Sequence, residues 1–135
     1  MNTCTTIHTA HGYTTDKVEF PDLEIPVLTG PQRQGDVFVL PITTRHDGDP
    51  IPAHGVTVVR AESNTANTHN LHGDGVWDWS PDPDTNLVQG WLTVPAGGAA
   101  YLIHTEEHPA LAIGPGVYEV RRQREFAGEW RRVAD

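Results

Sequence analysis

One cysteine, no apolar run long enough to cross a bilayer, and half as many basic as acidic residues bound what this 135-residue chain can be. Cys4 has no partner within the chain, so no disulfide staples the fold and nothing in the thiol chemistry requires an oxidising compartment. Its place in a polar N-terminal segment argues against a thiol nucleophile. The apolar stretches fall well short of the ~20 residues of a membrane span, and MNTCTTIHTAHGYTT lacks the basic start and apolar centre of a secretory signal. The expectation is one soluble, cytoplasmic domain with no membrane contact. Also missing are a P-loop, GxGxxG, GxSxG and CxxC. Glu106 and Glu107 are adjacent and would point to opposite faces of a strand, which does not suggest a paired-carboxylate hydrolase.

The shortage of basic residues is uneven. Residues 1–120 hold four Lys or Arg against fifteen Asp or Glu, whereas residues 121–135 hold five Arg against three acids, so the net charge of -9 divides into -11 and +2. An acidic body disfavours nucleic acid. The arginine strip Arg121, Arg122 and Arg124 is a candidate contact for an acidic partner or a phosphate, or else a solvated strand face paired with the protein's own carboxylates.

Proline and threonine mark residues 1–34 as different from the rest. Pro21 and Pro26 separate short apolar pieces, a spacing that excludes a helix and suits edge strands or an extended arm laid over a surface, its own or a neighbour's. The arm is expected to add little to the core and much to contacts outside it. From Gly35 onward the pattern is all-β. Val37 to Ile42, Gly55 to Glu62, Val76 to Trp79, Leu87 to Val94, Ala99 to His104 and Val117 to Phe126 are short, rich in β-branched and aromatic residues, and bounded by Gly, Pro and Asp turns. A short return strand from Trp130 to Val133 follows the turn at Ala127 and Gly128. Strands at roughly ten-residue intervals without helical periodicity predict a single compact β-sandwich or barrel over residues 35–135. The last long strand is expected at or near the sheet centre. Trp77 and Trp79 share a strand face and are expected to pack in the core.

Eight histidines are many for this length, and four lie in two clusters: His69 and His72 in NTHNLHGDG, and His104 and His108 in HTEEH. Imidazole with carboxylate suits Zn²⁺, Mn²⁺, Fe²⁺ or Ni²⁺, which makes His69, His104, Glu106 and His108 the candidate metal ligands. Spacing opposes them. On an extended strand His104 and His108 lie about 13 Å apart, so convergence needs a backbone turn, which Pro109 permits. His69 and His72 would lie on opposite faces of a strand.

The segments RQGDVFVLPI, TANTHNL, TEEHPALAIGPGVYEVRRQREF and RRVAD resemble a family of small bacterial and phage-encoded proteins of uncharacterised activity, with the patterns RQGD, TGHxH, HEEH, LPPGxYxVxRQREY and RRVxD. The resemblance runs from about Gln32 to Asp135 and implies a virion as a second location. Where that pattern has two further histidines this chain has Asn67 and Thr105, leaving His69 and His108, with His104 and His72 placed to substitute after a shift in register. The VPAGG and GPG turns are similar to those of cupin-type jelly rolls, a likeness of fold alone. Two functions stay open. The first is a non-catalytic binding or assembly module, for example a phage structural or accessory protein, with a protein partner or self-assembly through the arm and the arginine strand. The second is a cupin-like metalloprotein, enzyme or not, built on the histidine-carboxylate cluster.

Overall fold

The computed structural model describes residues 2–59, 68–104, 108–126 and 130–132, with residues 124–126 and 130–132 described by backbone alone. Its elements in chain order are α1 (Cys4–Ala10), β1 (Val27–Leu28), β2 (Gln32–Gln34), β3 (Val37–Pro41), β4 (Asp49–Pro50), β5 (Val56–Val59), β6 (His69–Gly73), β7 (Val76–Trp79), β8 (Val88–Val94), β9 (Ala100–His104), β10 (Leu111–Ile113), β11 (Gly116–Arg122), β12 (Arg124–Phe126) and β13 (Trp130–Arg132). Two sheets form a sandwich, not a closed barrel: five strands in the order β1-β10-β9-β6-β5, and six in the order β2-β3-β11-β8-β7-β4. Between them, alternate residues of each strand interdigitate. Val37, Val39, Leu92, Val94, Tyr118 and Val120 come from the larger sheet, and Val58, Leu71, Ala100, Leu102 and Ile113 from the smaller. Each such aliphatic side chain, fully buried, contributes roughly 1.5–3 kcal/mol. The Tyr118 hydroxyl donates to the Gly114 carbonyl at 2.8 Å, so the ring that fills the core also ties down the Gly-Pro-Gly turn.

The smaller sheet is covered on both faces. Its outer face receives the N-terminal segment, where Cys4, Ile7 and Val18 bury against Ile103 and Ala110 in a second apolar cluster. The expected fully extended arm instead begins with a helix, α1. Its sequence CTTIHTA is a poor helix former, but Pro21 and Pro26 lie beyond it and its start is capped on both sides. The Thr6 amide donates to Thr3 Oγ1 at 3.1 Å, and the Thr3 amide to Thr6 Oγ1 at 2.8 Å. Burial of Cys4, Ile7 and His8 does the rest. The arm thus covers the outer face of the sheet, in an apolar cluster separate from the core between the two sheets.

The strands expected at 37–42, 76–79, 87–94 and 99–104 form within a residue of those limits. β11 is central to its sheet, between β3 and β8, but the expected single strand to Phe126 breaks at Gln123 and resumes as β12, paired with β13. Trp77 packs in the core as expected. Trp79 does not: it is 44% exposed at the end of β7, edge-on to Trp77 with ring centres 5.4 Å apart. The Trp77 indole lies against Gly90 of β8, which has no side chain to displace it. A Cβ there would overlap the Trp77 ring and the Asp78 carbonyl. We expect Gly90→Ala to cost about 1–3 kcal/mol, read as a lower urea midpoint at unchanged slope; an unaltered midpoint refutes the packing argument. No helix among the described residues is long and apolar enough to cross a membrane.

Candidate histidine centre

β9 is the central strand of the smaller sheet and β6 is its neighbour, and their register places His69 directly opposite His104. Both side chains point inward, on the face that carries Leu71 and Leu102. The His108 ring nonetheless lies against that of His104, so the two are not a strand's length apart and the spacing objection falls. The His104 ring lies 4.7 Å, centre to centre, from His69 and 4.7 Å from His108, each pair edge to face at 73° and 81°. His69 and His104 are buried, and His108 is half-buried. Three of the four candidate ligands therefore come together; Glu106 lies outside the described residues.

Gln34, at the end of β2 in the opposite sheet, fixes how His69 is held. Its amide nitrogen donates to the carbonyls of Leu102 at 2.8 Å and Pro109 at 2.9 Å, groups that can only accept. Its oxygen must then be the partner of His69 Nδ1 at 2.9 Å, so Nδ1 carries the proton and Nε2 is the basic nitrogen of a neutral ring. Burial first, and then the nearby His104, His108 and Arg122, push the His69 pKa down to about 3. A buried amide that orients an imidazole through its far nitrogen is the arrangement that supports metal-binding histidines. Gln34 entered the sequence reading only as part of the RQGD pattern, not as a site residue. Its only signal is a polar residue at the inward position of QRQ.

Among the described residues, no group of three or more His, Cys, Asp or Glu side chains is gathered as around a bound ion. The three rings meet edge to face, and what they share with a divalent-ion site is the chemistry of the imidazole donors.

The arginine strip is divided between two faces. Arg122 is buried, raises the local positive potential at His69, and lines a cleft of ≈ 420 Å³ with Thr57, Trp79, Asp84 and Gln89. Arg121 is half-buried beside Glu119, 3.7 Å away, and the Arg124 side chain lies outside the described residues. The alternation of a strand separates Arg121 from Arg122, so the three do not share one inward or outward face.

His72 faces away from the first cluster, on the outer side of β6 beneath the arm. Its Nε2 lies 2.9 Å from the Tyr13 hydroxyl, and its ring is 4.7 Å from that of His11, which follows α1. Burial, then His11 and His54, lower its pKa to about 4. Gly55, at φ +83°, lies flat against the ring, where a Cβ would overlap it.

A family model for a domain of unknown function, DUF8820, matches residues 33–123, more than half of the chain. The chain belongs to the DUF8820 family. No curated protein and no solved structure matches it. The DUF8820 match includes Gln34, His69, His72, His104 and His108, whereas α1, His11 and Tyr13 lie outside it.

Proposed function

We propose that this protein is a metal-binding β-sandwich in which His69, His104 and His108 take up a divalent transition-metal ion. Glu106, between two of them in sequence, is the candidate carboxylate ligand. The observation that carries this reading is the contact of three imidazoles from two separate strands and the segment after β9, with one of them locked by Gln34 in the neutral Nδ1-protonated form. Imidazole-rich sets suit Zn²⁺, Fe²⁺ or Ni²⁺. Ring centres near 5 Å apart are what two imidazoles on one ion require when each Zn–N bond is about 2.0–2.1 Å.

The test is the metal content of protein purified without a histidine tag, followed by Co²⁺ titration monitored by visible absorption. The expected result is one ion per chain, with an intense low-symmetry cobalt spectrum. His108→Ala should lose both. In metal-loaded protein that variant should also lose thermal stability, because binding energy to the folded state is folding energy. A metal-free protein with no cobalt spectrum at millimolar Co²⁺, or a His108→Ala variant costing under about 1 kcal/mol in the presence of metal, rejects the reading.

A further inference from the structure

The arm holds an apolar surface that the histidine centre does not use. Phe20 is the one described residue other than glycine with positive φ, at 54°, a conformation disfavoured for a bulky side chain, and its ring is 68% exposed. A backbone held in a costly conformation to keep a large apolar ring in water is a feature that folding alone does not explain. Leu23, at 65% exposed, and Val27 and Leu28 continue the patch. Together with Ile25 and Leu111, Phe20, Leu23 and Leu28 line a groove of ≈ 370 Å³ whose charged lining residues are Glu19 and Glu24, with no Lys or Arg. The carbonyl of Pro21, the residue after Phe20, accepts from the Thr5 amide at 3.0 Å, and Asp22 accepts from the Thr5 hydroxyl at 2.8 Å. The segment that presents Phe20 is therefore fastened to α1.

We infer that this groove is a docking site for a segment of a partner protein that carries apolar side chains between lysines or arginines. Apolar floor and acidic rim together specify such an occupant. A second copy of this chain is opposed by its own charge. In a two-fold contact the same patch meets itself, which sets Glu19 and Glu24 of each copy against those of the other, in a chain whose net charge is already -9.

The experiment uses the full chain and two fluorescent hexapeptides, one alternating Leu with Lys and the other alternating Leu with Glu. Binding is followed by fluorescence anisotropy. The Leu/Lys peptide should bind saturably and the Leu/Glu peptide should not. Leu23→Asp and Phe20→Asp should each weaken binding on the order of tenfold, the equivalent of one lost aliphatic burial. The sign is diagnostic, since both variants add negative charge: a merely electrostatic attraction strengthens, while docking in the groove weakens. Circular dichroism and the melting temperature should be unchanged, because both side chains are exposed. Unchanged or tighter binding in the variants, equal binding of the two peptides, or no binding of either overturns the proposal. So does a concentration-dependent dimer that Leu23→Asp dissolves, which makes a second copy the occupant.

Discussion

Gln34→Ala is expected to destabilise the protein by about 3–5 kcal/mol, because one buried amide satisfies three groups at once and each buried group left without a partner costs roughly 1–3 kcal/mol. The variant strands the Leu102 carbonyl, the Pro109 carbonyl and the Nδ1 proton of His69. Against a typical total stability of about 5–15 kcal/mol, that loss is a large fraction. It also joins the two layers of the sandwich: Gln34 belongs to the six-stranded sheet, and Leu102 and His69 to the five-stranded one. Gln34→Glu separates orientation from satisfaction. Its carboxylate still accepts from His69 Nδ1, but it turns an oxygen lone pair toward two carbonyls and favours the charged imidazolium. Urea denaturation measures the stability, and Co²⁺ titration should show metal affinity about 10–100-fold weaker in both variants, the usual consequence of losing a ligand's supporting hydrogen bond. A Gln34→Ala variant costing under about 1 kcal/mol shows that water or a neighbour replaces the amide, and removes the argument that Gln34 selects the tautomer of His69.

What the sequence made legible follows from which faces are buried. β3, β7, β8 and β9 announce themselves through β-branched residues and flanking turns, and each was expected close to where it forms. β6 was missed as a strand because HNLHG shows no alternation: both faces of that strand are buried, one by the core and the other by the arm, and both sides carry histidine or asparagine. The expectation that His69 and His72 would face opposite ways still applies, since the residues do form a strand, and it accounts for two separate histidine clusters in place of one. α1 was missed because seven residues containing three threonines have little intrinsic helicity. Its cause is tertiary, the apolar outer face of β9 offered by Ile103, and nothing local signals that. The contact of His108 with His104 was open from the sequence, since the separation along an extended chain is only an upper bound.

The second large effect is on the arm, and it follows pH. His72 lies at the end of a directed chain of hydrogen bonds. The Thr57 hydroxyl donates to Asn70 Oδ1 at 2.6 Å, the Asn70 amide interacts with the Tyr13 hydroxyl, and that hydroxyl faces His72 Nε2 at 2.9 Å. With His72 neutral and unprotonated at Nε2, the Tyr13 hydroxyl can accept from Asn70 and donate to that nitrogen. The groups facing this ring are His11 from the end of α1, Tyr13 from the arm, His54 from the loop before β5, and Asn70 on its own strand. None of them is an acid that would favour imidazolium. With a pKa of about 4 when the arm is docked and about 6.5 when it is released, the sign is fixed. Above pH 6.5 both states are neutral and docking has its full strength. As pH falls toward 4 the released state takes a proton that the docked state refuses, so docking weakens. The ceiling is about 3 kcal/mol, reduced to about half that by solvent around the exposed His54 and half-buried His11. Amide hydrogen exchange in α1 should therefore accelerate on going from pH 7 to pH 4.5, once corrected for intrinsic rates, before the β11 amides respond. His72→Gln keeps an acceptor for the Tyr13 proton but does not titrate, and should remove most of that slope. An equal slope in the variant assigns the pH dependence to other groups and leaves His72 as packing alone.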